Sequence, residues 1–171
     1  MNRGDNAGDG QTAIALHSTF LSRRLPIRTV KRDHMINARD KNAIVSIVDD
    51  DESVLLAIHS LISSFGFEAF TFLSAEAFLQ SPQLNDTACL ISDVHMPNVS
   101  GIQLQRMLLD RGVKIPTVFM TAFSNERIKA KALAAGAVCF LMKPLDTYTL
   151  IKCIYAALEQ NVDEGGASSR C

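Results

Sequence analysis

From Ala43 onward, two hydrophobic periods alternate along the chain. Short runs rich in apolar and β-branched residues, beginning with "AIVSIV" at 43–48, read as strands buried on both faces. Longer stretches place apolar residues at helical spacing. In "DESVLLAIHSLISSFG", Val54, Ile58, Leu61, Ile62 and Phe65 share one face, and Gly66 can end the helix. The same reading predicts strands in "EAFTF", "ACLIS", "PTVFM" and "VCFLM". It predicts helices in "SAEAFLQ", "GIQLQRMLLDRG", "NERIKAKALAAG" and "DTYTLIKCIYAALEQ". Ser74, Asn125 or Ser124, and Asp146 or Thr147 are the expected N-caps; Gly112 and Gly136 are expected stops. Five strand–helix alternations imply a doubly wound α/β fold, a five-stranded parallel sheet with helices on both faces.

Residues 1–42 break this pattern. Their apolar periodicity is weak, their ends are turn-rich, and they read as a disordered extension ahead of a domain at 43–160. Met35, just before that domain, is a second candidate start. Residues 161–171, polar and glycine-containing, read as a loose tail. The whole chain of 171 residues suits one domain with a proper core.

Charge adds one asymmetry. Residues 1–42 hold eight Lys/Arg against four Asp, whereas the remainder is net acidic. The basic "RRLPIRTVKR" could meet an acidic partner or nucleic acid, but a solvated tail is the simpler account. No apolar run approaches the ~20 residues that span a bilayer, and no secretory signal opens the chain. A cytoplasmic location follows as the expectation. The four cysteines, at 89, 139, 153 and 171, form no CxxC pair, so neither zinc nor redox chemistry is expected. Cys89, Cys139 and Cys153 lie in apolar runs and read as small core residues in a reducing compartment.

In doubly wound folds, functional groups gather at the carboxyl ends of the strands. Here the first strand ends in Asp49, Asp50 and Asp51, the third in Asp93, the fourth in Thr121 and the fifth in Lys143. Each alone has a plainer reading as a cap or surface residue, and Asp51 reads as the first helix's N-cap. Together they form an oxygen-rich set suited to Mg²⁺ or Mn²⁺. A carboxylate there, with a hydroxyl and a lysine nearby, is equipped to accept a phosphoryl group.

The set "IVDDDES", "ISDVHMPNVSG", "FMTAF" and "FLMKP", in this order and spacing, resembles the receiver domain of response regulators in two-component signalling. The resemblance covers about 43–160 and is nearest to receivers of the nitrogen-fixation regulator type. It implies that Asp93 is phosphorylated by a histidine kinase or phosphotransfer protein. It implies Mg²⁺ on Asp49 (mainly through water), Asp50, Asp93 and the backbone carbonyl of His95. Thr121 and Lys143 would bind the phosphoryl group, with Lys143–Pro144 cis. Phe140 takes the switch-aromatic position, although a core role is an equal reading. His95 and Phe123 flank the path of hydrolytic water and would tune the lifetime of the phosphorylated state.

Those relatives usually continue into a DNA-binding helix-turn-helix; the few residues after the last helix are too short for one. The expectation is therefore a stand-alone receiver that switches a surface of helix 4, strand 5 and helix 5 for a downstream protein. No direct DNA binding and no membrane contact are expected, and a phosphorylation-dependent dimer is admitted. The alternatives are a phosphate sink or relay, or the receiver part of a shortened DNA-binding regulator. Catalysis beyond its own phosphorylation and dephosphorylation is not expected. A phosphatase would want a second acid where His95 stands, and a nucleotide site would want glycines where "DDDES" stands.

Overall fold

The structure is a computed structural model that describes residues 43–123 and 125–165, with side chains through Gln160. The expected disorder of 1–42, Ser124 as a cap, and the end of the tail lie outside the described residues. The elements run β1 Ile44–Val48, α1 Glu52–Ser64, β2 Glu68–Phe72, α2 Ala75–Leu79, β3 Thr87–Asp93, α3 Gly101–Asp110, β4 Thr117–Thr121, α4 Glu126–Ala134, β5 Cys139–Met142 and α5 Thr147–Gly165. A short 3₁₀ turn at Pro82–Asn85, not foreseen, leads into β3. α5 continues to Gly165, so the boundary placed at 160 falls inside a helix.

The five strands are parallel, in the order β2-β1-β3-β4-β5. Central strands are sealed on both faces: all of β4 is buried, and β3 is buried apart from partly exposed Ala88. Edge strands β2 and β5 keep partial exposure, as strands with one neighbour do. One sheet face packs Val45, Ile47, Cys89 and Ile91 against Leu55, Ile58 and Ile62 of α1 and Leu150 and Ile154 of α5. The other carries two clusters. Val48, Leu90, Phe78, Leu104 and Leu108 join α2 and α3; Phe119, Val94, Ala132 and Ile128 join α4. Two buried hydroxyls of the sheet are paired: Ser46 Oγ and Thr87 Oγ1 lie 2.7 Å apart, and the Thr87 hydroxyl also donates to Gln83 O.

Caps set the helix starts that aim the strand ends. Asp51 accepts from Ser53 N at 2.9 Å, so it is the N-cap of α1 as expected. Asn125 caps α4, accepting from the amides of Arg127 and Ile128. Asp146 caps α5 by accepting from Thr149 N at 2.8 Å. Ser100 and Gln103 form a reciprocal capping box on α3.

The cysteine reading needs correction. Cys139 and Cys153 are not separate core thiols but a disulfide joining β5 to α5. Strand alternation turns Cys139 to the α5 side of the sheet, where the two Cα atoms stand 6.0 Å apart, within bridging range. Cys89 is a free thiol in the core, pushed up to about 12 by burial.

The packing predicts an asymmetry between α5 and α1. Ile154→Ala, at a fully buried position, should cost about 2–5 kcal/mol in chemical denaturation. Leu56→Ala, at an exposed position on α1, should change stability by less than about 0.5 kcal/mol.

Candidate functional site

Parallel topology brings the carboxyl ends of β1, β3, β4 and β5 to one edge. The ladder continues past the strands and fixes the loops there. Asp49 N donates to Phe72 O at 3.1 Å, Val94 N to Met120 O at 2.9 Å, and Lys143 N to Thr121 O at 2.8 Å. Lys143 Nζ consequently reaches Asp49 Oδ2 at 2.6 Å and Asp93 Oδ1 at 3.4 Å. Asp49 Oδ1 accepts from Asp51 N at 3.0 Å, and Asp93 Oδ2 from His95 N at 3.2 Å. Asp50 is exposed beside them, and the carboxylates of Asp49, Asp50 and Asp93 converge to within 4.8 Å of one another.

Electrostatics follow from this crowding. Burial raises the Asp93 carboxyl above its ordinary value; Lys143 pulls it back, while Asp49 pushes it further up. Burial works against the charge on Lys143, but the hydrogen bond and charge of Asp49, helped by Asp93, outweigh it and raise the ammonium's pKa. Three converging carboxylates served by one ammonium form an all-oxygen donor set with surplus negative charge. That set fits a hard divalent cation such as Mg²⁺.

Thr121 and His95 meet in a way the sequence did not reveal. Thr121 Oγ1 lies 3.1 Å from His95 Nδ1 and accepts from Phe123 N at 3.2 Å. The imidazole stands edge-on to the Phe123 ring, with centroids 5.8 Å apart, and Phe123 is 68% exposed. Only a side-chain rotamer makes this contact, so no spacing could announce it. Phe140 lies on the opposite face of β5 from Cys139, packed toward Phe119 at 6.4 Å between centroids. The Lys143–Pro144 peptide is cis.

The loop after Asp93 is held by backbone. Gly101 N donates to Val94 O at 3.2 Å, and Asn98 takes a positive φ of 61°. A Cβ on Gly101 would collide with the carbonyl oxygen of Asp93 and lie 2.7 Å from Ser92 Oγ. The "MPNVSG" stretch thus turns tightly enough to return its backbone beneath the aspartate.

Residues 45–155 match the response regulator receiver domain family. The chain belongs to the response-regulator receivers. Among curated relatives, the response regulator protein TmoT of Ectopseudomonas mendocina is 39% identical over 128 residues, covering 75% of this chain and 57% of the relative. The transcriptional regulatory protein FixJ of Rhizobium meliloti is 35% identical over 118 residues, covering 69% and 58%. The chain therefore spans little more than half the length of these relatives. Among solved structures, the response regulator StyR superposes with a TM-score of 0.68 at 38% identity, covering 73% of this chain and 63% of that one. The FixJ N-terminal domain gives 0.63 at 33% identity, covering 68% and 94%. The doubly wound five-stranded parallel sheet expected from the hydrophobic pattern is the fold observed, and it is the receiver fold that the resemblance implied. Among the described residues, no helix is long and apolar enough to cross a membrane.

Two measurements probe the receiver's site. An acid whose folded pKa is raised adds stability below its unfolded pKa, and that contribution is lost as pH rises through the folded pKa. In chelator at pH 7, Asp93→Asn should therefore raise Tm, and the gain should shrink toward pH 4. Mg²⁺ should raise the wild-type Tm more than that of the variant. Gly101→Ala should destabilise the fold by about 1–3 kcal/mol in urea titration, because the Asp93 backbone has to shift.

Proposed function

We propose that this receiver is a phosphorylation-driven switch in which Asp93 accepts a phosphoryl group from a phosphohistidine of a histidine kinase or phosphotransfer protein. The observation that carries this reading is the Lys143 ammonium set between Asp49 and Asp93 on a carboxylate cluster at the sheet edge. An oxygen of Asp93 attacks phosphorus in line as the P–N bond to the donor imidazole breaks, and the bond's electron pair stays with that ring nitrogen. Lys143, released from part of its pairing with Asp93, offers its charge to the phosphoryl oxygens. Mg²⁺ or Mn²⁺, held by Asp50, Asp93 and the His95 carbonyl and by Asp49 through water, would supply further charge neutralisation. An apolar groove of about 270 Å³ between α1 and the β5–α5 loop is lined by Val54, Ile58, Leu61, Leu145 and Lys143. Its continuity with Lys143 suits a docked helix of the phosphodonor.

The acyl phosphate brings up to two negative charges into the site. The Thr121 hydroxyl then exchanges His95 for a phosphoryl oxygen, and Phe140 follows by repacking, since a phenyl ring has no hydroxyl to offer a partner. The altered α4–β5–α5 surface binds a downstream protein or a second phosphorylated copy. The working location is the cytoplasm, and the protein catalyses only its own phosphorylation and dephosphorylation. A second reading, the receiver portion of a DNA-binding regulator, is favoured by the FixJ relative's name as a transcriptional regulator and by its greater length.

Phosphoramidate with Mg²⁺ should add one phosphoryl group to the wild type by intact mass and none to Asp93→Asn. Equal mass gain in both, or none in either, would remove Asp93 from the role. We infer that the edge-on rings of Phe123 and His95 screen the phosphorylated Asp93 from hydrolytic water, so Phe123→Ala should shorten the phosphorylated half-life at least ~threefold. An unchanged decay in a phosphate-release assay would refute that assignment.

A further inference from the structure

The Cys139–Cys153 bridge lies outside the phosphoryl chemistry but ties down the elements that chemistry would move. It encloses the stretch that carries Lys143 and the α5 cap Asp146. Cys139 immediately precedes Phe140, and the two side chains occupy opposite faces of β5. β5 is an edge strand with one hydrogen-bonded neighbour, its register running Val118–Cys139 through Thr121–Met142. Cys153 is 6% exposed in the α5 face that packs on the sheet with Leu150, Ile154 and Ala157. The bridge thus fastens a weakly held edge strand to a well-docked helix.

The cysteines differ in chemical access. Cys89 is completely buried on β3, and its thiol is pushed up to about 12, too little ionised to exchange. Cys139 is partly exposed on an edge strand, whereas Cys153 is buried, so Cys139 is the more accessible residue of the bridge. Compartments that keep thiols reduced do not preserve a disulfide unless something re-forms it.

We propose that Cys139 and Cys153 form a reversible thiol–disulfide site that sets how freely the β5–α5 corner moves. Opening is a two-electron reduction by a low-molecular-weight thiol. Its thiolate attacks Sγ of Cys139, the Cys139–Cys153 bond breaks, and Cys153 leaves as a thiolate that takes a proton. A second thiol then displaces Cys139 from the mixed disulfide, releasing the oxidised low-molecular-weight disulfide. Closing runs the same steps backward, with that disulfide as oxidant. Bridged, β5 and α5 move as one body, which restrains Phe140 and Lys143 together. Open, β5 is held by the β4 ladder, its side-chain packing and the ion pairs of Lys143.

The full chain carrying Cys171→Ser is equilibrated across glutathione/glutathione-disulfide ratios, blocked with N-ethylmaleimide and read by peptide mass. The expected result is joint labelling of Cys139 and Cys153 in one two-electron transition while Cys89 stays unlabelled. Amide hydrogen exchange across 139–153 should be at least ~fivefold faster in the reduced protein. Cys139→Ser should show the faster exchange at every ratio. Independent labelling of the two cysteines, or equal exchange in both redox states, would overturn the proposal. Its bearing on signalling rests on Asp93 as acceptor, and is read as at least a ~threefold difference in phosphoramidate labelling rate between the two states. Equal rates would remove that bearing. No labelling in either state would count against Asp93 and leave the thiol result standing.

Discussion

One ammonium between two carboxylates organises the active edge of this receiver. Lys143 directly follows the edge strand β5, yet it reaches Asp49 just beyond β1 and Asp93 at the end of β3, both nearer the middle of the sheet. Without it, those acids and Asp50 would face one another with like charge in a partly buried place. Removing the lysine from such a group leaves uncompensated negative charge, which costs more than the pairing itself contributes. The backbone bond from Lys143 N to Thr121 O makes the reach possible by holding the end of β5 in register. Charge and ladder thus support each other: the sheet delivers the lysine, and the lysine helps fasten the edge strand to the sheet.

Much of this edge is legible in the sequence. Parallel strands buried on both faces produce apolar runs with little alternation, and β1, β3 and β4 stand out in the sequence for that reason. A charged or hydroxyl residue that stops such a run marks a carboxyl end, so Asp49, Asp93, Thr121 and Lys143 could be assigned to one edge. Short polar side chains ahead of helical runs identified Asp51 and Ser74 as caps and offered Asn125 or Ser124 for α4, because the local amides need an acceptor there. Where two candidates stood side by side, only the hydrogen bond from Thr149 N selected Asp146 over Thr147.

What stayed hidden depends on side-chain direction and on packing between distant segments. The Cys139–Cys153 bridge has no spacing signature, since it requires β5's alternation and α5's rotation to point two sulfurs at each other. The bond between the Thr121 hydroxyl and the His95 ring depends on one imidazole rotamer at an exposed position. The Ser46–Thr87 hydroxyl pair sits in core strands where an apolar residue would read equally well. Hydrophobic period carries no information about any of these, because each is a choice among rotamers on a frame already determined.

The strand order has a consequence for the birth of the molecule. Chain synthesis delivers the acids of β1 and β3 well before the lysine of β5, which pairs only with β4. A nascent chain that has emerged through β4 already carries Asp49, Asp50 and Asp93 but not yet their ammonium. The central strands can collapse around their apolar faces, while the carboxylate edge waits for β5 and the lysine that follows it. A half-made receiver therefore lacks the ammonium that its carboxylate cluster faces, and the cluster is completed only when the fifth strand takes its place.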